Sequence, residues 1–425
     1  MLAILTRTIG LWWRSWPWLI AIYLVGWLAR YWALQAAIAV GLAHGPVWGA
    51  MVVAFAPMIR LMTYLAMFLV IRSATAGLQH VEPDGQEPRG AIDIALTAVL
   101  PFLVIYTAWK LLTEDYYVYY TTIGYTSIYQ GLQNQVAEYT GPVGATVWIV
   151  VAVALAVRQT LIRFRDRLPR WTMVVAVYAE VLWIFLVLQA GLRAMIGTPE
   201  WISQRRVVVW LADIRDDVFS HFAVLAHLWD AIGAVVGSLL PAAGLALAWL
   251  AIAGVVYGTP LPPTWAGARR IMLGRKGDAY ATRAVQRGRT VVQSRWDRLP
   301  GEIRSRGGEF ARSRLGRFES VVDSARLILH GGAVPIAFYI LLYAVTVVLA
   351  PSGAYFDRTV TDGHLFRGIA LLLGPHEWSW WESFSGVIRL AIDAMIDPLR
   401  ICLVAATYWF CVDAVRAEHA PAHSR

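Results

Sequence analysis

The chain has 425 residues, of which 58% are hydrophobic and only 15% charged, and its net charge is +9. Soluble domains carry about a quarter charged residues, so this balance and a mean hydropathy of +0.54 argue against an ordinary globular protein. They predict an all-α fold: a polytopic membrane helix bundle, whose 21 tryptophans suit the two membrane-water interfaces.

A span needs about 20 apolar residues, and eight such runs are expected near 18–43, 46–71, 91–113, 142–162, 171–197, 231–257, 332–350 and 384–411. They divide the chain into a six-helix region over 1–257, a loop over 258–330, a two-helix region over 331–411 and a tail over 412–425. The opening "MLAILTRTIGLWWRSW" reads as an interfacial helix with Arg7 and Arg14 on the cytoplasmic side. The first apolar run is too long for a signal-peptide core and holds Arg30, so no cleavable leader is expected.

Orientation follows from arginine asymmetry, because cytoplasmic loops keep the excess of Lys and Arg. After the fourth run, "RQTLIRFRDRLPR" carries Arg158, Arg163, Arg165, Arg167 and Arg170 against Asp166 alone, which makes it a cytoplasmic turn. Eight spans then leave both termini inside.

The segment 114–141 has no Lys or Arg and is expected outside. Its stretch "EDYYVYYTTIGY" holds Tyr116, Tyr117, Tyr119, Tyr120 and Tyr125, with Tyr129 following. One reading is an aromatic belt with wet hydroxyls; the other is an outer docking surface, since Tyr is frequent at binding hot spots.

The loop from 258 to 330 carries fifteen Arg or Lys residues against six acids, an excess equal to the net charge of the whole protein. It includes Arg269, Arg270, Arg275, Lys276, Arg312, Arg314 and Arg317. Apolar residues at Ala311, Leu315, Phe318, Val322, Ala325 and Leu329 line one face of a helix. An amphipathic helix with an arginine-rich polar side suits anionic lipid or an acidic partner subunit. Nucleic acid is not expected, because no stacking motif accompanies the charge.

Charges within the apolar runs are the residues hardest to dismiss. Arg30 and Arg60 lie mid-run, Glu180 sits in the fifth run, and "VIRLAIDAMIDPLR" places Arg389, Asp393 and Asp397 four residues apart on one face. A lone charge at the bilayer centre costs about 2.5 to 3.5 kcal/mol, so pairing is expected. A relay or substrate pocket and a set of register-fixing salt bridges are both open. Pro398 offers a third course, dividing an interfacial helix from a re-entrant run.

Beyond these, Gly233 and Gly237 make a GxxxG packing step in the sixth run. In "WLADIRDDVFSHFAVLAHLWD", Asp213, Asp217 and His221 recur every four residues and form a candidate metal set. Phosphate-loop, nucleophile-elbow and dinucleotide patterns do not occur in the sequence, and no cofactor is expected. The expected role is a non-catalytic structural or assembly subunit of a membrane complex, placed in a bacterial cytoplasmic membrane. The alternatives are an ion- or proton-coupled carrier or channel using the mid-run charges, and an outward-facing metal-dependent enzyme.

Overall fold

The computed structural model describes residues 1–75, 78, 90–108, 111–129, 145–164, 167–169, 171–195, 243–258, 324–351 and 363–419. Every regular element among them is a helix. In chain order these are α1 (Leu2–His44), α2 (Pro46–Val53), α3 (Phe55–Ala74), α4 (Ala91–Ala108), α5 (Leu111–Tyr129), α6 (Ala145–Arg163) and α7 (Thr172–Met195). They continue with α8 (Ala243–Tyr257), α9 (Ser324–His330), α10 (Ala333–Leu349), α11 (His364–Leu373) and α12 (Trp378–His419).

Three stretches among the described residues are long and apolar enough to cross a membrane: Leu2–His44, Val47–Ala74 and Ala145–Arg163. The pair α9 and α10, bent by 106°, makes a fourth if it is one broken span. The run expected over 91–113 is described as two helices, α4 as far as Ala108 and α5 from Leu111. The runs expected over 171–197 and 231–257 fall on shorter apolar helices, Thr172–Val187 and Ala243–Tyr257. Outward faces are apolar, with Val25, Trp32, Ile149, Val153, Leu341 and Val345 all more than half exposed. A soluble surface rarely presents such contiguous apolar faces; several long apolar helices of this kind are compatible with an integral membrane protein.

Two of the helices are far longer than a span. At 1.5 Å per residue, the 43 residues of α1 and 42 of α12 each reach roughly 60 Å, about twice the hydrocarbon thickness. Neither breaks at its proline. The separate interfacial helix expected over the first sixteen residues is part of α1, which continues through Pro17. Likewise α12 continues through Pro398, so that proline does not divide an interfacial helix from a re-entrant run.

Helices α1 and α12 pack side by side and antiparallel. Arg7 meets Asp413 at one level, while Tyr23 lies within electrostatic reach of Asp397 at another, an equal step along each chain. Helices α2, α3 and α5 also lean on α1, whereas α7 packs between α6 and α4.

The hairpin of α1 and α2 shows why small residues sit where they do. Gly45 turns the chain with φ +100°, a left-handed conformation that suits glycine, and Pro46 starts α2. Tyr119 of α5 then slots against the hairpin: a Cβ at Gly41 or Gly49 would collide with its hydroxyl oxygen.

Buried and half-buried tyrosines tie the remaining helices together. Tyr178 Oη donates to Met51 O at 2.8 Å, Tyr257 to Phe68 O at 3.3 Å and Tyr339 to Ala246 O at 2.7 Å. Each joins a side chain of one helix to the backbone of another. Hydrogen bonds of this kind in membranes average about 0.6 kcal/mol, so they orient helices more than they hold them.

Candidate functional site

Three of the mid-helix carboxylates, Asp115, Glu180 and Asp397, each meet an arginine in a separate place. On α1, Arg30 donates through Nε to Asp115 Oδ1 of α5 at 2.7 Å. The Asp115 side chain is fully buried and Arg30 nearly so. Tyr106 of α4 donates its hydroxyl to the other carboxylate oxygen of Asp115. From α3, Arg60 Nη1 donates to Tyr106 Oη at 3.0 Å, with its guanidinium 5.4 Å from that ring's centre. Four helices therefore converge on one carboxylate and one phenol.

Asp115 was expected in an outer loop. Helix α5 instead carries it into the bundle, because the apolar residues Val118 and Ile123 and the ring of Tyr119 on its face pack against the core. Arg30 thus has a carboxylate partner, Asp115, that was not among the expected mid-run charges.

A second centre lies one turn away along α3. Tyr64, four residues after Arg60, donates to Asp397 Oδ2 of α12 at 3.2 Å. Arg400, one turn further along α12, holds Asp397 Oδ1 at 2.7 Å. The rest of its guanidinium is taken by α10: Nε donates to Thr346 Oγ1 at 3.1 Å, and Nη2 to Thr346 O at 2.9 Å and to Ala350 O. Both side chains are over nine-tenths buried. Thr346 O also accepts from Ala350 N–H at 3.0 Å, so Arg400 shares that carbonyl's second lone pair, while Ala350 O lies just past the last residue of α10, Leu349.

The other two residues expected on this face meet different neighbours. Arg389 places its guanidinium 5.0 Å over the Phe366 ring of α11. Asp393 is half-buried, within electrostatic reach of Tyr23.

Glu180 does not join either centre. It forms a buried ion pair with Arg158 across α6 and α7, and Trp183 Nε1 donates to its Oε2 at 3.2 Å. Arg158 is thus removed from the cytoplasmic turn assigned to it. It lies within α6, five residues before the helix ends at Arg163.

A fourth pair is more open. Arg7 Nη2 stands 2.8 Å from Asp413 Oδ2, and its guanidinium lies 4.4 Å over the Trp409 ring.

The aromatic surface expected on α5 divides. Tyr119 is only 2% exposed, a packing residue rather than a docking one, whereas Tyr125 is exposed at 66%. The side chains of Tyr116, Tyr117 and Tyr120 lie outside the described set. So do Arg269, Arg270, Arg275, Lys276, Arg312, Arg314 and Arg317 of the basic loop, and the candidate metal set Asp213, Asp217 and His221. Among the described residues no group of three or more His, Cys, Asp or Glu side chains is placed to hold a metal ion. Cys402 and Cys411 are free and buried.

Fold and site together define a class: an all-helical protein with long apolar helices, cross-linked internally by arginine-carboxylate pairs. No protein-family model matches the chain, and neither does any curated protein or solved structure.

Proposed function

We propose that the protein is a non-catalytic structural or assembly subunit of a membrane complex, multi-pass in a bacterial cytoplasmic membrane. The observation that carries this is where the buried charge goes. Asp115, Glu180 and Asp397 are each bound to an arginine, two of them across helices and the third on an arginine anchored to α10. Guanidinium groups keep their protons at any physiological pH, so such pairs suit fixing helix register better than passing protons.

With the bundle's charges spent internally, the excess of +9 falls to the loop over 258–330. In this reading eight spans leave both termini in the cytoplasm, and the loop docks there on anionic lipid or an acidic partner. Exposed aromatic residues such as Tyr125 belong to the outer contact. Gentle extraction from the native membrane and mass measurement should find other proteins at fixed stoichiometry; recovery of a lone monomer overturns the proposal.

A second reading, a carrier or channel, draws on a different feature. Asp115, Tyr106 and Arg60, then Tyr64, Asp397 and Arg400, stand in sequence across the bundle, and Arg60 and Tyr64 are one turn apart on α3. It requires Asp393→Asn or Glu180→Gln to abolish flux in reconstituted vesicles while leaving expression and assembly intact. Wild-type flux in both variants removes it.

A further inference from the structure

At the end of the bundle where the N-terminal part of α1 meets α12, a cavity of about 390 Å³ opens between α1, the end of α3 and Trp409. That volume falls within the range of small-ligand sites. Its polar wall is unfinished in a specific way. Thr75, 5% exposed at the end of α3, has a buried hydroxyl with no hydrogen-bond partner among the described residues. Arg7 commits Nη2 to Asp413 and lays its guanidinium on Trp409, yet its Nη1 is buried and has no partner among the described residues. A buried donor left without an acceptor keeps its full desolvation penalty, larger when the group is charged. Two such groups facing one cavity call for an acceptor.

The geometry of α1 shapes the rest. Arg7, Gly10 and Arg14 recur at three- and four-residue steps on one face. Gly10 opens the floor, since a Cβ there would meet no heavy atom within 4 Å. Arg7 is balanced by Asp413, whereas Arg14 adds a positive charge to the wall. The ligand therefore carries about one negative charge and several acceptor oxygens.

Depth is set by the next turns of α1. Trp13, Trp16 and Trp18 are exposed at 79, 44 and 69%, and exposed indoles on an apolar helix mark the headgroup level of a bilayer. We propose that this cavity binds one phosphate group, that of an anionic phospholipid headgroup, through Arg7 Nη1, Thr75 Oγ1 and Arg14. The residues named here belong to α1, the end of α3 and α12, and the proposal does not depend on the subunit reading.

The test uses the full chain purified in mild detergent, with bound lipid counted by native mass spectrometry. Wild type, offered equal phosphatidylglycerol and phosphatidylcholine, should retain one phosphatidylglycerol per chain in preference. Gly10→Leu, which fills the cavity without removing a contact, and Thr75→Val, which keeps the side-chain shape, should each weaken that retention by about tenfold or more. Arg269→Gln in the basic loop should leave it unchanged. A separate arm adds inorganic phosphate: no displacement of the lipid supports a headgroup site, and displacement at low millimolar phosphate shows a free-phosphate site and overturns the lipid assignment. Equal retention of the two lipids by wild type overturns the proposal, as does unchanged retention in folded Gly10→Leu or, should that variant not fold, in Thr75→Val.

Discussion

Two ion pairs lie along the same antiparallel helix pair and are built differently. Asp397 and Arg400 are almost completely buried, and α10 supplies oxygens for the guanidinium donors that Asp397 leaves over. Arg7 and Asp413, at 27 and 38% exposure, leave one guanidinium nitrogen without a partner among the described residues. The difference teaches that desolvation decides how complete a pair must be. A deeply buried pair is tolerable only with its donors answered, while the more open pair keeps a donor, Arg7 Nη1, for a ligand to answer.

The strongest way to break that contrast is to remove one member of the buried pair. Arg400→Ala strands Asp397 and should destabilise the protein by about 3 to 5 kcal/mol, read as a lowered unfolding midpoint in detergent. A loss below about 1 kcal/mol would mean that water reaches the pair.

Next comes the pair between α6 and α7. Glu180→Leu alone should cost about 3 kcal/mol, whereas Glu180→Leu combined with Arg158→Met should recover most of it, because a well-packed apolar pair is often as stable as a buried salt bridge. Additive losses in a double-mutant cycle would contradict the direct pairing.

Packing provides a milder test without charge. Gly49→Ala pushes a methyl into the Tyr119 hydroxyl and the Gly41 backbone, and should cost about 1 to 3 kcal/mol. Coupling it with Tyr119→Phe, which withdraws the oxygen, should relieve part of that loss in the same unfolding assay.

The smallest effect belongs to the rim. Asp413→Asn should shift stability by under about 1 kcal/mol, and less in high salt, as partly exposed pairs do. A shift as large as that of Arg400→Ala would erase the distinction between the two pairs.

The sequence made one half of each buried pair legible. Arg30, Arg60, Glu180 and Asp397 stand out because apolar neighbours on both sides leave no water to solvate them. Their partners escaped notice for the opposite reason. Asp115 follows Glu114 in a polar, aromatic stretch, Arg158 opens an arginine-rich turn, and Arg400 lies just past Pro398. A charge at the edge of an apolar run reads as solvated until a neighbouring helix covers it.

Among the described residues, helix type was legible in the apolar runs, where hydropathy needs no tertiary information, but not in α5, whose polar tyrosine stretch reads as an outer loop. Span limits were not legible: one expected run is described as α4 and the start of α5, and α1 and α12 extend well beyond theirs. Tyr106 and Tyr64 carried no signal at all, because a phenol in an apolar run is equally at home in a core or an interface.

The antiparallel pairing of α1 with α12 has a consequence for biogenesis. Chains emerge at about 5 to 20 residues per second, so Asp115, 85 residues beyond Arg30, arrives within roughly 4 to 17 s. Asp413, the partner of Arg7, lies 406 residues beyond it and follows only after roughly 20 to 81 s. Helix α1 thus finds its inner counter-charge early and its α12 neighbour much later, and a ribosome stalled before α12 would leave the long face of α1 uncovered for whatever chaperone or lipid meets it first.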